Sequence, residues 1–242
     1  DATGTLDRGN QADGVDVFTG TNNRVGGTTA AERNIISGND RDGIEIGGTA
    51  TGTLIQGNYI GTDVGGTLSL GNSFGGIWVG MSVTGVTIGG TASGAGNLIV
   101  NNLTGGVYSD TSSVSFSSLG NTFYSNTNLA IDLKNDGVTA NDAGDGDTGP
   151  NSLQNFPVMT TARTDGSGHL ALVGTLSSSA SSYYRIEFFA NAAADASGYG
   201  EGQRYLGYVN VATNGSGSAS FNTILTAAVS AGEYVTATAT KS

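Results

Sequence analysis

At 242 residues the chain is long enough for one large or two modest domains with a buried core. Gly accounts for 41 residues and Pro for 2, Cys is absent, and the formal charge is -11. A disulfide framework and a thiolate metal site are therefore excluded, and the charge disfavours nucleic acid and anionic membrane as partners.

No apolar run reaches the roughly 18 residues of a membrane span, and no charged start followed by an apolar stretch marks a signal peptide. Together with the missing cysteines, the expectation is an exported bacterial protein, met as a processed or truncated piece. Residues 1–154 carry five basic and fifteen acidic side chains, whereas 155–242 carry four and five. Two regions of different chemistry are indicated.

The first region repeats. Gly26-Gly27-Thr28 followed by Asn34-Ile35-Ile36 returns sixty-three positions later as Gly89-Gly90-Thr91 followed by Asn97-Leu98-Ile99. The same offset carries Gly43-Ile44 onto Gly106-Val107 and Gly57-Asn58 onto Gly120-Asn121. The run Asp1 to Asn10 also aligns with Asp63 to Asn72, so the chain is expected to begin in the middle of a repeat. Its first coil would then expose strand edges that a preceding segment or a partner covers, with end-to-end self-association as one outcome.

Five segments share one short alternating pattern: Asp13 to Val17, Asp42 to Ile46, Gly75 to Val79, Gly105 to Ser109 and Leu129 to Leu133. Their third residue is β-branched and apolar and their fourth is polar or aromatic, as in very short strands with one buried face. Further strands are expected at 34–37, 53–56, 86–88, 97–100 and 114–118. No stretch carries ten residues of helical apolar spacing without a Gly. Such strands bury their apolar edge only by stacking, so residues 1–154 are predicted to form a right-handed parallel β-helix of about five coils. Gly38-Asn39, Gly57-Asn58, Gly71-Asn72 and Gly120-Asn121 suit its corners, and their Asn side chains could bond along the axis.

Lys134 to Asn155 reads as a loop that closes the solenoid. Within it, Asn141, Asp142, Asp145 and Asp147 alternate with Gly, the composition a hard oxygen-seeking cation selects, and calcium is the expected ion. The loop lacks the closing Glu of an EF-hand. Residues 155–242 then show strands at 158–162, 169–176, 183–190, 205–211, 219–225 and 234–240, separated by turns such as Asp165-Gly166-Ser167-Gly168. This spacing predicts an immunoglobulin-like β-sandwich without the Cys-Trp-Cys core of antibody domains. The fold class is all-β throughout.

NIISGN, GNYIGTD and TIGGT, followed by NDGVTANDAGDGDTGPNSLQNFPV and YRIEFFAN, resemble large bacterial secreted or cell-surface proteins built from right-handed β-helix repeats and often carrying a CSLREA element. The resemblance implies an extracellular protein whose solenoid ends in an Ig-like module. It implies no activity.

The fourth positions, Asp16, Glu45, Trp78, Tyr108 and Asp132, are expected to project outward as one column. Aromatic rings between carboxylates can bind a polysaccharide, a cell-surface glycan or a protein; the plain alternative is a mixed solvated face. Asp16 and Glu45 one coil apart would approach the ~5 Å of a retaining glycosidase. A pectate-type lyase would want a cation opposite clustered acids, and Lys134 is the one lysine of the region. His169, the one histidine, falls on a sandwich strand, and no nucleophile elbow, phosphate loop or HExxH is present. The expected function is a non-catalytic extracellular stalk, adhesion or glycan-binding module of a larger surface protein; the alternative is a polysaccharide lyase or glycosidase acting on the column.

Overall fold

The computed structural model describes residues 5–80, 82–109 and 114–242. The alignment that starts at Asp1 falls partly outside them. Two compact units are present, one of residues 1–138 with 149–151 and the other of 139–148 with 152–242. Residues 139–148, expected to close the solenoid, thus pack with the second unit.

The first unit is a parallel β-helix with three strands per coil. In chain order these are β1 (Val15–Val17), β2 (Arg24–Gly26), β3 (Ile35–Ile36), β4 (Ile44–Ile46), β5 (Leu54–Gln56), β6 (Tyr59–Ile60), β7 (Ile77–Val79), β8 (Val86–Gly89), β9 (Leu98–Val100), β10 (Val107–Tyr108), β11 (Phe116–Leu119), β12 (Thr122–Tyr124) and β13 (Ile131–Asp132). They stack into three parallel sheets ordered β1-β4-β7-β10-β13, β2-β5-β8-β11 and β3-β6-β9-β12. Four full coils and the opening strand of a fifth result. The register pairs Ile44 with Ile77 and Ile77 with Val107, so the sixty-three-residue offset in the sequence spans two coils.

Each strand is too short to hold itself, and its stability comes from the apolar column that stacking creates. Ile44, Ile46, Ile55, Ile60, Ile77, Val79, Ile88, Ile99 and Val107 are fully buried in one continuous core. Gly before the inward Ile is a steric need: a Cβ on Gly43 would lie 2.6 Å from the Gly76 carbonyl and 2.8 Å from Cγ2 of Ile60.

Two rows of asparagines run through the corners. Asn10, Asn39, Asn72, Asn102 and Asn126 form one row; Asn34, Asn58, Asn97 and Asn121 form the other. Between the first coil's Asn10 and the last members Asn126 and Asn121, each residue donates both its backbone N–H and its side-chain amide to the Oδ1 of the Asn in the next coil, at 2.7–3.2 Å. The second amide hydrogen of Asn72, Asn126, Asn58, Asn97 and Asn121 goes to a main-chain carbonyl. Buried amides are thereby satisfied within an otherwise apolar cylinder, which their burial requires.

The second unit has six antiparallel strands, β14 (Val158–Thr164), β15 (His169–Ser177), β16 (Tyr183–Asn191), β17 (Arg204–Ala212), β18 (Ser218–Thr226) and β19 (Tyr234–Lys241). They make two three-stranded sheets, β14-β15-β18 and β17-β16-β19. Alternate residues of each sheet, among them Leu170, Leu172 and Leu176 on one and Tyr184, Ile186 and Phe188 on the other, share one core. Phe188 meets Phe221 edge to face at 5.5 Å across it.

Candidate functional site

The parallel register places Asp16, Glu45, Trp78, Tyr108 and Asp132 side by side across β1, β4, β7, β10 and β13. The column exists, yet its members differ in what they offer to a ligand. Asp16 is exposed and Trp78 half-buried, while Glu45, Tyr108 and Asp132 are buried.

Local chemistry explains each burial. Tyr108 lies down across the neighbouring coil, where Gly75 leaves room for its ring, and its hydroxyl donates to both oxygens of Asp42 at 2.9 and 3.1 Å. Asp132 turns back onto its own chain and accepts the backbone N–H groups of Lys134 and Gly137. Trp78 packs along its own strand over Gly80. An open aromatic groove is therefore not what these residues form.

Around the first two coils the structure adds residues that the column reading omitted. Asp13 Oδ1 accepts the N–H of Asp42, and Asp42 Oδ1 in turn accepts the N–H of Gly75, so the acids at the first position of the pattern each cap the next coil. The sequence carried a signal for this, since Asp-Gly opens two successive segments at Asp13 and Asp42. Arg41 bonds Asp13 at 2.9 Å and approaches Glu45 at 3.7 Å. One oxygen each of Asp13, Asp16 and Glu45 lies within 4.8 Å of the others. Burial pushes the Asp42 carboxyl up to about 6, against the pull of the Tyr108 hydroxyl and the Gly75 N–H. Burial also raises Glu45, and the Asp13 charge adds to it.

A second acidic group lies in the second unit. Asp142, Asp145 and Asp147 each bring one carboxylate oxygen within 4.8 Å of the others. The chain bends there through Gly144 and Asp145, both at positive φ. Asp142 accepts Gly146 N–H with Oδ2, while its Oδ1 is enclosed without a hydrogen bond. Asp145 accepts Asn155 N–H and the Ser178 hydroxyl. The Asn141 side chain both donates to and accepts from the main chain of Phe156, which fixes its position at the start of the loop. The three acids fit a hard cation in number and type, and Asn155 and Ser178, which hold the loop in shape, were not among the residues singled out from the sequence.

His169 sits at the start of β15, exposed, with Nδ1 2.9 Å from Asp165. It belongs to a turn, since Asp165 also accepts the N–H groups of Ser167 and His169.

No protein-family profile matches the chain, and no curated protein matches it.

Proposed function

We propose that the chain is a non-catalytic, load-bearing module of a larger extracellular bacterial surface protein of the CSLREA-type β-helix class, serving as a stalk or adhesion segment. The observation that carries this reading is the engagement of the column: Tyr108 and Asp132 are spent on bonds that hold coils and turns together. With the two asparagine rows, these contacts favour stiffness over a cleft. The extracellular setting rests on the missing cysteines, the acidic charge and the sequence resemblance. Glycan or protein contact at the half-buried Trp78, and end-to-end association through the first coil, belong to the same proposal.

Calcium at Asp142, Asp145 and Asp147 is part of it. The enclosed Asp142 Oδ1 and three clustered carboxylates make an ion favourable, because a divalent cation offsets their repulsion and supplies the missing partner. Since calcium would bind only the folded loop, adding it to chelator-treated protein should raise the melting temperature of the second unit, and Asp145→Asn should abolish the rise. Flat melting and flat calorimetric heat across the titration would remove calcium from the proposal.

One observation favours a second reading as a polysaccharide-cleaving enzyme. Glu45, with a raised carboxyl, lies close to Asp13 and the exposed Asp16, and unequal carboxylates at short range are the equipment of glycoside hydrolysis. Release of reducing ends or unsaturated products from acidic and neutral polysaccharides, lost in Glu45→Gln, would establish it; no release would leave the stalk.

A further inference from the structure

We propose that the outward face of the sheet β17-β16-β19 is a binding platform for a neutral polysaccharide, built on Tyr208 and Tyr205. Register places Glu187 between Tyr208 and Thr238, and Phe189 between Tyr205 and Thr236. These residues alternate with the core positions of the same strands, so all of them lie on the side of the sheet away from the sandwich interior.

The face is built, not merely exposed. Glu187 is buried although it points outward, and its carboxylate accepts Arg185 Nε at 2.8 Å. The Arg185 guanidinium then lies against the Tyr208 ring, 3.4 Å from its centroid, and donates to the Tyr205 hydroxyl at 3.0 Å. One ion pair thus props up two tyrosines. Tyr205 is further held by an edge contact with Phe189 at 5.7 Å. Despite this support, Tyr208 remains 46% and Tyr205 39% exposed. Cation on one side and water on the other leaves the outer ring surface of Tyr208 available, and a fixed aromatic surface loses little entropy when a sugar ring stacks on it.

Charge selects the ligand class. Arg185 and Glu187 cancel, and at the sheet edge Arg204 is paired with both oxygens of Glu233. An anionic chain would meet no unpaired cation among these residues, and residues 155–242 as a whole carry four basic and five acidic side chains. The opposite sheet lacks such a platform: its outward positions include Ala171, Thr175, Ser220, Asn222 and Ile224. Flat aromatic surface on one strand, with the Thr238 hydroxyl two strands across the same face, matches an uncharged pyranose chain, with apolar ring faces and hydroxyl edges.

These residues are distinct from the column and the acidic loop, so a failure here leaves the stalk reading and its calcium test untouched. The test is affinity electrophoresis of the intact chain through gels containing mixed-linkage β-glucan, galactomannan, arabinoxylan or pullulan, with alginate as the anionic comparison. At least one neutral polymer should retard the protein. Tyr208→Ala should weaken that retardation at least tenfold, Tyr208→Phe should keep it, and Ile224→Ala, exposed on the opposite sheet, should stay within twofold. If Tyr208→Ala lowers the melting temperature of the sandwich, Tyr208→Leu, which keeps bulk without a flat face, takes its place and should show the same loss. The proposal is overturned if no neutral polymer retards the protein, if alginate retards it as strongly, or if a folded Tyr208 variant without a ring binds like the wild type.

Discussion

Truncating asparagines one at a time should reveal a gradient that burial alone does not produce. Asn72 Oδ1 accepts the N–H of Asn39 at 3.2 Å and its amide at 2.7 Å, and Asn72 is fully buried. In Asn72→Ala those two donors lose their acceptor. The other partners do not suffer: Asn102 Oδ1 keeps the Asn72 backbone N–H, and the Ile36 carbonyl keeps the N–H of Gly61. Two orphaned buried donors at about 1–3 kcal/mol each give an expected loss of about 3 kcal/mol, allowing for some relaxation. Asn39 is almost equally buried, but its Oδ1 accepts only the backbone N–H of Asn10. Asn39→Ala should cost about 1 kcal/mol. Asn10→Ala deletes one exposed-side bond to the Asp13 carbonyl and should cost less than about 0.5 kcal/mol. Urea unfolding followed by tryptophan fluorescence reads the solenoid alone, since Trp78 is the chain's one tryptophan. An Asn39→Ala loss equal to or above that of Asn72→Ala would refute the directional scheme.

Other expected outcomes follow from single buried groups. Ile77→Asp puts a charge into a position with no solvent access and should cost more than about 4 kcal/mol, abolishing the cooperative fluorescence transition. Thr53 is fully buried with Oγ1 unbonded, so Thr53→Val should raise stability by about 1 kcal/mol in the same assay. Asp42 has a folded value near 6 against an ordinary 3.8, so the folded state holds this proton more tightly. Its contribution is most favourable below pH 3.8 and is lost as pH rises through 6. Asp42→Asn keeps an acceptor for Gly75 and Tyr108, and should gain on the order of 2 kcal/mol relative to wild type between pH 4 and pH 7, after allowance for screening. Parallel stability curves for the two proteins over that range would count against a strained carboxylate.

Much of the fold was legible because stacking forces repetition. The inward Val and Ile of the five segments, the corner Gly-Asn pairs and six strands of the sandwich all follow from positions that must recur or alternate. Strands β2, β6 and β12 were missed: Arg24–Gly26, Tyr59–Ile60 and Thr122–Tyr124 carry two or three residues each and are strands only because a coil lies above or below them. Asn102 and Asn126 escaped notice as row members because Asn101 and Ser125, at positive φ, stand before them, where Asn39 and Asn72 of the same row follow Gly38 and Gly71. The column was legible as a register but not as a surface. Alternation tells which side of a sheet a side chain leaves from; it cannot tell that Tyr108 will fold flat onto Gly75 or that Asp132 will return to cap its own turn.

The asparagine rows give the solenoid a head and a tail. Apart from Asn10, whose amide donates to the Asp13 carbonyl, every amide dipole in them points the same way, oxygen toward the first coil and hydrogen toward the last. A two-fold contact between two first coils would set the oxygen of Asn34 against its own copy, which is repulsive. A surface presenting an amide hydrogen at the Asn34 corner would extend that row without a break. Any contact that continued such a row would be heterologous, the kind that repeats with one polarity and need not close on itself.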